Sequence, residues 1–181
     1  MSRIAPLQAP YTATIQQDFE RIMGPGRAPL ILFRTIATQQ RTWKKLTSAG
    51  LLDPGPLSLR QREIVIDRTC ANTGCEYEWG VHITAFAAAA KLTDEQVRAT
   101  VLGDASAECW TEAEQVLIAT TDALHARASL SDGEFASLAG HYNEAQILEI
   151  LQLCGFYRTV SYFANGLKLP LEDNAARFPK G

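Results

Sequence analysis

The chain has 181 residues, 46% of them hydrophobic and 20% charged, with 17 Lys and Arg against 20 Asp and Glu for a net charge of −3. That is the length and composition of one globular domain, able to bury roughly 70% of its unfolded surface without disulfides or metal; a disordered chain is excluded. The basic excess expected of a nucleic-acid-binding protein is absent.

In chain order, residues 1–19 read as an N-terminal arm, 20–172 as a single helical domain, and 173–181 as a C-terminal tail. Pro29 suits the first position of a helix running through Thr38, and Gly50 can end the helix that follows. Asp53-Pro-Gly-Pro56 then forms a loop. Beyond it, Ser, Thr or Asn is followed three residues later by Glu or Gln five times: Ser58/Gln61, Thr93/Gln96, Thr111/Glu114, Ser131/Glu134 and Asn143/Gln146. In this capping box each side chain satisfies a backbone N–H orphaned at a helix start. Periodicity agrees, because Ala113, Val116, Leu117, Thr120 and Leu124 share one face of a helix over 112–127. Between Ala145 and Asn165 so many positions are apolar that the helix should be central and enclosed. With no period-two alternation and no hairpin turn, the chain reads as all-α. The longest plainly apolar run, Ala85 to Ala90, is far short of a membrane span. Nor does the start have a signal peptide's apolar run, so a cytoplasmic protein with reduced cysteines is expected.

Chemistry concentrates in Glu63 to His82. A helix from Leu59 should end between Ala71 and Gly74, where Asn72 and Gly74 favour the left-handed exit, and a second helix should start near Cys75. On that helix Cys75, Glu78 and His82 fall within an arc of about 60°, flanked by Trp79 and Phe86. At the helix N-terminus the dipole and free N–H groups would lower the pKa of Cys75. Glu78, one turn from His82, could set its tautomer or share its proton. Glu63 could reach the same group across a helical hairpin, or instead pair with Arg60, Arg62 or Arg68. Plainer readings stay open: Cys75 as a small packing residue, Glu78 and His82 as an exposed pair, and Trp79 and Phe86 as packing. Arg158 is either an anchor for a substrate carboxylate or a structural ion pair. Cys109 and Cys154 read as packing residues, His125 and His141 lie at helix ends, and the three histidines have no metal-ligand spacing.

The stretch Arg62-Glu-Ile-Val-Ile66 followed by Cys75-Glu-Tyr-Glu-Trp-Gly-Val-His82 resembles the carboxymuconolactone decarboxylase family, which is related to the alkylhydroperoxidase D-like proteins. Gly26 to Thr35, Thr121 to His125, and Gly155 to Arg158 with Leu167 to Pro170 extend the resemblance to about residues 20–172. It implies an all-helical alkylhydroperoxidase D-like fold with a central helical hairpin and a long buried C-terminal helix. It further implies a small-molecule substrate and a homo-oligomer, trimeric or hexameric. In the peroxidase branch the working residues are a Glu, both cysteines of a CxxC, and a His four residues later. Here Glu63, Cys75 and His82 match, but Glu78 stands where the second cysteine would be, which marks a non-CxxC member. Cys70 is the nearest other thiol.

The resulting expectation is cofactor-free acid–base decarboxylation, or related lyase chemistry, on a small lactone or keto acid. Glu63, Cys75, Glu78 and His82 would be its catalytic residues, with Trp79 and Arg158 on the substrate side and no metal. The alternatives are a thiol-dependent alkylhydroperoxidase centred on Cys75 and a non-catalytic helical oligomer.

Overall fold

The computed structural model describes residues 2–50 and 53–180; Met1 in the arm and Gly181 in the tail lie outside the described residues. These hold nine α-helices and no strand: α1 (Ala13–Met23), α2 (Ile31–Ile36), α3 (Gln40–Ser48), α4 (Leu59–Asn72), α5 (Glu76–Phe86), α6 (Asp94–Leu102), α7 (Glu112–Arg127), α8 (Asp132–His141) and α9 (Glu144–Gly166). No helix among the described residues is long and apolar enough to cross a membrane.

All five capping boxes form, and they start α4, α6, α7, α8 and α9. Each is worth about 1 kcal/mol, so these starts are set locally, before packing decides anything. The helix after Pro29 behaves differently. It was expected to begin on that proline and run through Thr38, but it begins at Ile31 with Leu30 as its extended cap and ends at Ile36. Its orphan N–H groups find distant acceptors, Ile31 on Glu172 Oε1 at 2.5 Å and Leu32 on the Tyr77 hydroxyl at 3.0 Å. The Tyr77 hydroxyl in turn donates to Glu172. Tertiary contacts thus set this start, which a local signal could not report.

α4 is the hub, packed against α5, α6, α7 and α9, and its Ile64, Val65 and Ile66 are fully enclosed. Arg68 reaches Asp122 on α7 through two hydrogen bonds of 2.6 and 2.9 Å and donates to the Thr100 and Gly103 carbonyls. Arg60 donates to Glu114 at 2.5 Å. Both cations tie α4 to its neighbours and are thereby unavailable to Glu63. α9 buries Ile147, Ile150, Leu153, Tyr157, Val160 and Ser161, while Leu148 and Tyr162 on its other side stay exposed.

The α4–α5 hairpin turns in a few residues. Gly74 takes φ +62, its N–H bonds the Ala71 carbonyl at 3.0 Å, and the Cys75 N–H bonds the Cys70 carbonyl at 2.8 Å. This paired pattern closes α4 with a Schellman motif and lets α5 fold straight back along it.

The C-terminal tail lies across α5. The Ala176 N–H lies 3.2 Å from the Gly80 carbonyl and 2.8 Å from Thr84 Oγ1, while the Phe178 ring packs edge-on against Trp79 at 5.2 Å. A Cβ on Gly80 would sit 2.2 Å from the Ala176 carbonyl oxygen, far inside contact distance. Gly80→Ala should therefore lift the tail, at a cost of about 1–3 kcal/mol. Limited proteolysis should then cleave after Arg177 faster in the variant than in the parent chain.

Candidate active site

The hairpin brings one face of α4 against one face of α5, and four ionisable side chains meet there. Glu63 and Asp67 on α4 are each 1% exposed, and Glu78 and His82 on α5 are 6% and 3% exposed. Glu63 Oε2 lies 2.7 Å from His82 Nδ1, and Glu78 Oε1 lies 3.5 Å from His82 Nε2. The imidazole thus sits between two carboxylates, one bonded closely and one at the limit of contact. Its ring is held edge-on by Tyr157 at 5.0 Å and tilted against Phe86 at 5.3 Å. Arg62, 8% exposed, places its Nε 3.4 Å from Glu63 Oε1.

Burial works against a charged imidazole, but hydrogen bonds to Glu63 and Glu78, together with their charges, outweigh it and push His82 up to about 10. His82 is accordingly held as the imidazolium at neutral pH. Asp67 goes the other way in charge. Its burial, only partly offset by His82 and reinforced by Glu63, raises its carboxyl well above the usual value, so that it stays protonated. Both Asp67 oxygens, and Glu78 Oε2, are buried without a hydrogen-bond partner. Native interiors rarely leave such atoms alone, and three of them around one imidazole mark where a ligand's polar group or a water would bond.

Helical spacing groups Cys75, Glu78 and His82 and leaves Glu63 open between that group and the arginines; the structure brings Glu63, Glu78 and His82 into one cluster. The roles differ from expectation in one respect: Glu63, not Glu78, makes the short bond that fixes the imidazole, because the hairpin closes the α4–α5 gap more tightly than one turn of α5 does. Asp67 was missed altogether. Its signal was present, since Glu63, Asp67 and Cys70 recur at helical spacing on one face of α4, but reading the motif by its anchors alone passed over it.

Cys75 is the N-cap of α5, as expected, yet it is fully buried. Burial raises its thiol pKa, and the opposing backbone N–H groups of Glu78 and Tyr77 do not overcome this. The expectation of a lowered thiol pKa is therefore corrected: desolvation wins over the helix terminus. Trp79 lies between α6 and the tail, its Nε1 donating to Thr100 Oγ1 at 2.9 Å. Arg158 donates to the His125 carbonyl at 3.0 Å and to the Tyr162 hydroxyl at 2.9 Å, which caps the end of α7. Cys154 is buried beside Thr121, and Cys109 is half-buried.

This all-helical architecture is that of the alkylhydroperoxidase D-like proteins. An uncharacterized peroxidase-related protein from Silicibacter sp. TM1040 superposes with a TM-score of 0.83 at 16% identity, covering 98% of this chain and 96% of that one. A second peroxidase-related protein, with an alkylhydroperoxidase core, from Ralstonia eutropha JMP134 superposes at 0.79 and 16% identity, with 94% and 93% covered. A debrominase in complex with 2,3,4-tribromopyrrole superposes at 0.70 and 16% identity, with 94% and 92% covered. At such identities the likeness is one of fold. No curated protein matches the sequence. Residues 39–122, which run from α3 into α7 and hold the whole Glu63–His82 stretch, match the model of the carboxymuconolactone decarboxylase family.

Proposed function

We propose that this chain is a cofactor-free acid–base catalyst that decarboxylates a small lactone or keto acid, or performs closely related lyase chemistry on one. One observation carries the reading. His82 is gripped at Nδ1 by Glu63, while its Nε2 faces a longer, weaker contact to Glu78, whose other oxygen is buried without a partner, as are both oxygens of Asp67 in the same cluster. That side of the ring is where a substrate oxygen or carbon would be met.

In the proposed reaction the C–C bond to the carboxylate breaks, CO₂ leaves, and the bonding electrons pass into an adjacent carbonyl as an enolate. The imidazolium stabilises that negative charge through Nε2–H and then delivers the same proton to carbon. Glu63 holds the ring and stabilises its charged form. Protonated Asp67 is a second donor within the cluster, and Glu78 accepts from a substrate hydroxyl or water. Cys75 lines the N-terminal end of α5. The enclosed setting strengthens each of these electrostatic contacts.

The family match over residues 39–122 supports this class of chemistry. A thiol peroxidase centred on Cys75 is less well supported, because a carboxylate replaces the second cysteine and burial suppresses the thiolate. The reading includes a cytoplasmic setting, supported by four free thiols, and self-association as a trimer or hexamer, supported by the exposed Leu148 and Tyr162 along α9.

The test is CO₂ release from a panel of small unsaturated lactone acids and β-keto acids. Turnover should appear with one of them and fall by about 10²–10⁴ in His82→Ala. Cys75→Ser should keep most of it. Undiminished turnover in His82→Ala would end the acid–base reading, and loss confined to Cys75→Ser would favour the thiol reading.

A further inference from the structure

The last turn of α7, the middle of α9 and Thr69 of α4 enclose a recess of about 390 Å³, large enough for a small organic molecule. Thr69 lies about 160° around α4 from Asp67, so α4 itself separates the recess from the acid–base cluster. Thr69, Thr121 and Cys154 form the floor, and Leu124 and Leu151 stand at the sides. The floor hydroxyls have already spent their donors, Thr69 on the Val65 carbonyl at 2.7 Å and Thr121 on the Leu117 carbonyl at 2.8 Å. Half-buried Arg158 supplies what the floor lacks. Its Nε donates to the Tyr162 hydroxyl at 2.9 Å and its Nη1 to the His125 carbonyl at 3.0 Å. The other N–H groups of the guanidinium have no acceptor among the described residues. Arg60, Arg62 and Arg68 each meet a carboxylate, but Arg158 meets none, and no residue lining the recess is acidic. Gly155, exposed in the interior of α9, opens onto the same space: a Cβ there would meet nothing within 4 Å. Glycine is the poorest helix former after proline, so this bare position costs α9 stability and keeps the recess open.

We infer that this recess binds an amphipathic monocarboxylate, a single anionic head on a short hydrocarbon body. The carboxylate accepts from the unused N–H groups of Arg158, and the body covers Leu124, Leu151 and Cys154. The two bonds that Arg158 already makes hold its guanidinium in place, so little side-chain freedom is lost when the ligand arrives. The same features set the specificity. Arg127, also on the rim, is taken by Glu134, so a second anionic group on the ligand would find no free cation and would lose its water against an apolar floor. Dicarboxylates and phosphate esters are therefore disfavoured. The site is independent of the decarboxylase reading, because it lies on the other side of α4 from His82.

Isothermal titration calorimetry of the full chain tests the site, with octanoate as the probe and octanamide as its uncharged counterpart. Octanoate should bind saturably, one per chain, and octanamide about tenfold more weakly or worse, the difference a charge-assisted hydrogen bond makes. Arg158→Gln should weaken octanoate by a similar factor of about ten or more. Because that change also removes a cap from α7, Gly155→Leu serves as the second variant: it keeps the guanidinium, fills the recess, and should abolish binding while circular dichroism shows unchanged helicity. His82→Asn should bind octanoate as the parent chain does. A parent chain without saturable binding overturns the inference, as does affinity that survives both recess variants. Binding lost in His82→Asn overturns it too, by placing the carboxylate on the imidazolium. So does a parent chain that ignores octanoate and self-associates in light scattering until Gly155→Leu breaks the assembly, which would make a second copy the occupant. No outcome depends on CO₂ release, so failure of either reading is visible separately.

Discussion

Glu63→Gln should cost about 3–5 kcal/mol of stability at pH 7, because it removes the close partner of a buried imidazolium and leaves that charge only the longer contact to Glu78. For a chain of this size the melting temperature should fall by on the order of 10 °C. The same substitution should change the pH dependence of the reaction. With Glu63 in place His82 holds its proton up to about 10, so activity should persist through neutral pH and fall only in the alkaline range. Without it, burial dominates and the alkaline limb should move down by several pH units. Pairing Glu63→Gln with His82→Asn should cost less than the sum of the two single changes, since the second removes the charge that the first exposes. Additive losses would mean that the 2.7 Å contact between them contributes little.

Asp67→Asn should instead stabilise the protein, increasingly so as pH rises. Burial holds the Asp67 carboxyl well above its ordinary 3.8, so above that pH the native state keeps a proton that the unfolded chain releases. Stability tied to this group is complete below about 3.8 and is lost as pH climbs toward its raised native value. His82 acts in the same sense: its stabilisation is complete below 6.5 and is lost as pH passes through about 10. Asparagine keeps the shape of the side chain without the ionisation, and so removes the first of these losses. Calorimetry should show a melting temperature roughly 2–4 °C above the parent at pH 7.5, equivalent to about 1 kcal/mol, and little difference near pH 4. A gain of equal size at both pH values, or a loss that grows with pH, would show that Asp67 is ionised in the native state. The groups facing it, His82 and Glu63, are unchanged in the comparison.

Much of this was legible from the chain because it rests on local chemistry. The five capping boxes fix the starts of α4, α6, α7, α8 and α9 through side chains three residues apart, and the α4–α5 turn follows from a glycine that tolerates positive φ. What stayed hidden depends on groups far apart in sequence. Ile31 begins α2 because Glu172 and Tyr77 cap it, and Gly80 must be bare because Ala176 crosses it. In the site, helical spacing put Cys75, Glu78 and His82 on one face but could not choose between His82 and three arginines as the partner of Glu63. Packing chose: Arg60 and Arg68 are drawn to Glu114 and Asp122, while Glu63 meets both Arg62 at 3.4 Å and, more closely, the imidazole across the hairpin. The thiol of Cys75 shows the same limit, since position in a helix predicts a stabilised thiolate and only burial reveals the opposite.

The central claim is that His82 is a charged imidazole clasped between carboxylates in the interior. Nitrogen-15 NMR of the histidine side chains tests it most directly, with His82→Asn identifying its signals among those of the three histidines. The imidazole of His82 should keep protons on both ring nitrogens from pH 6 through pH 9 and lose one only near 10. A neutral ring with a single N–H at pH 7.5 would contradict the account.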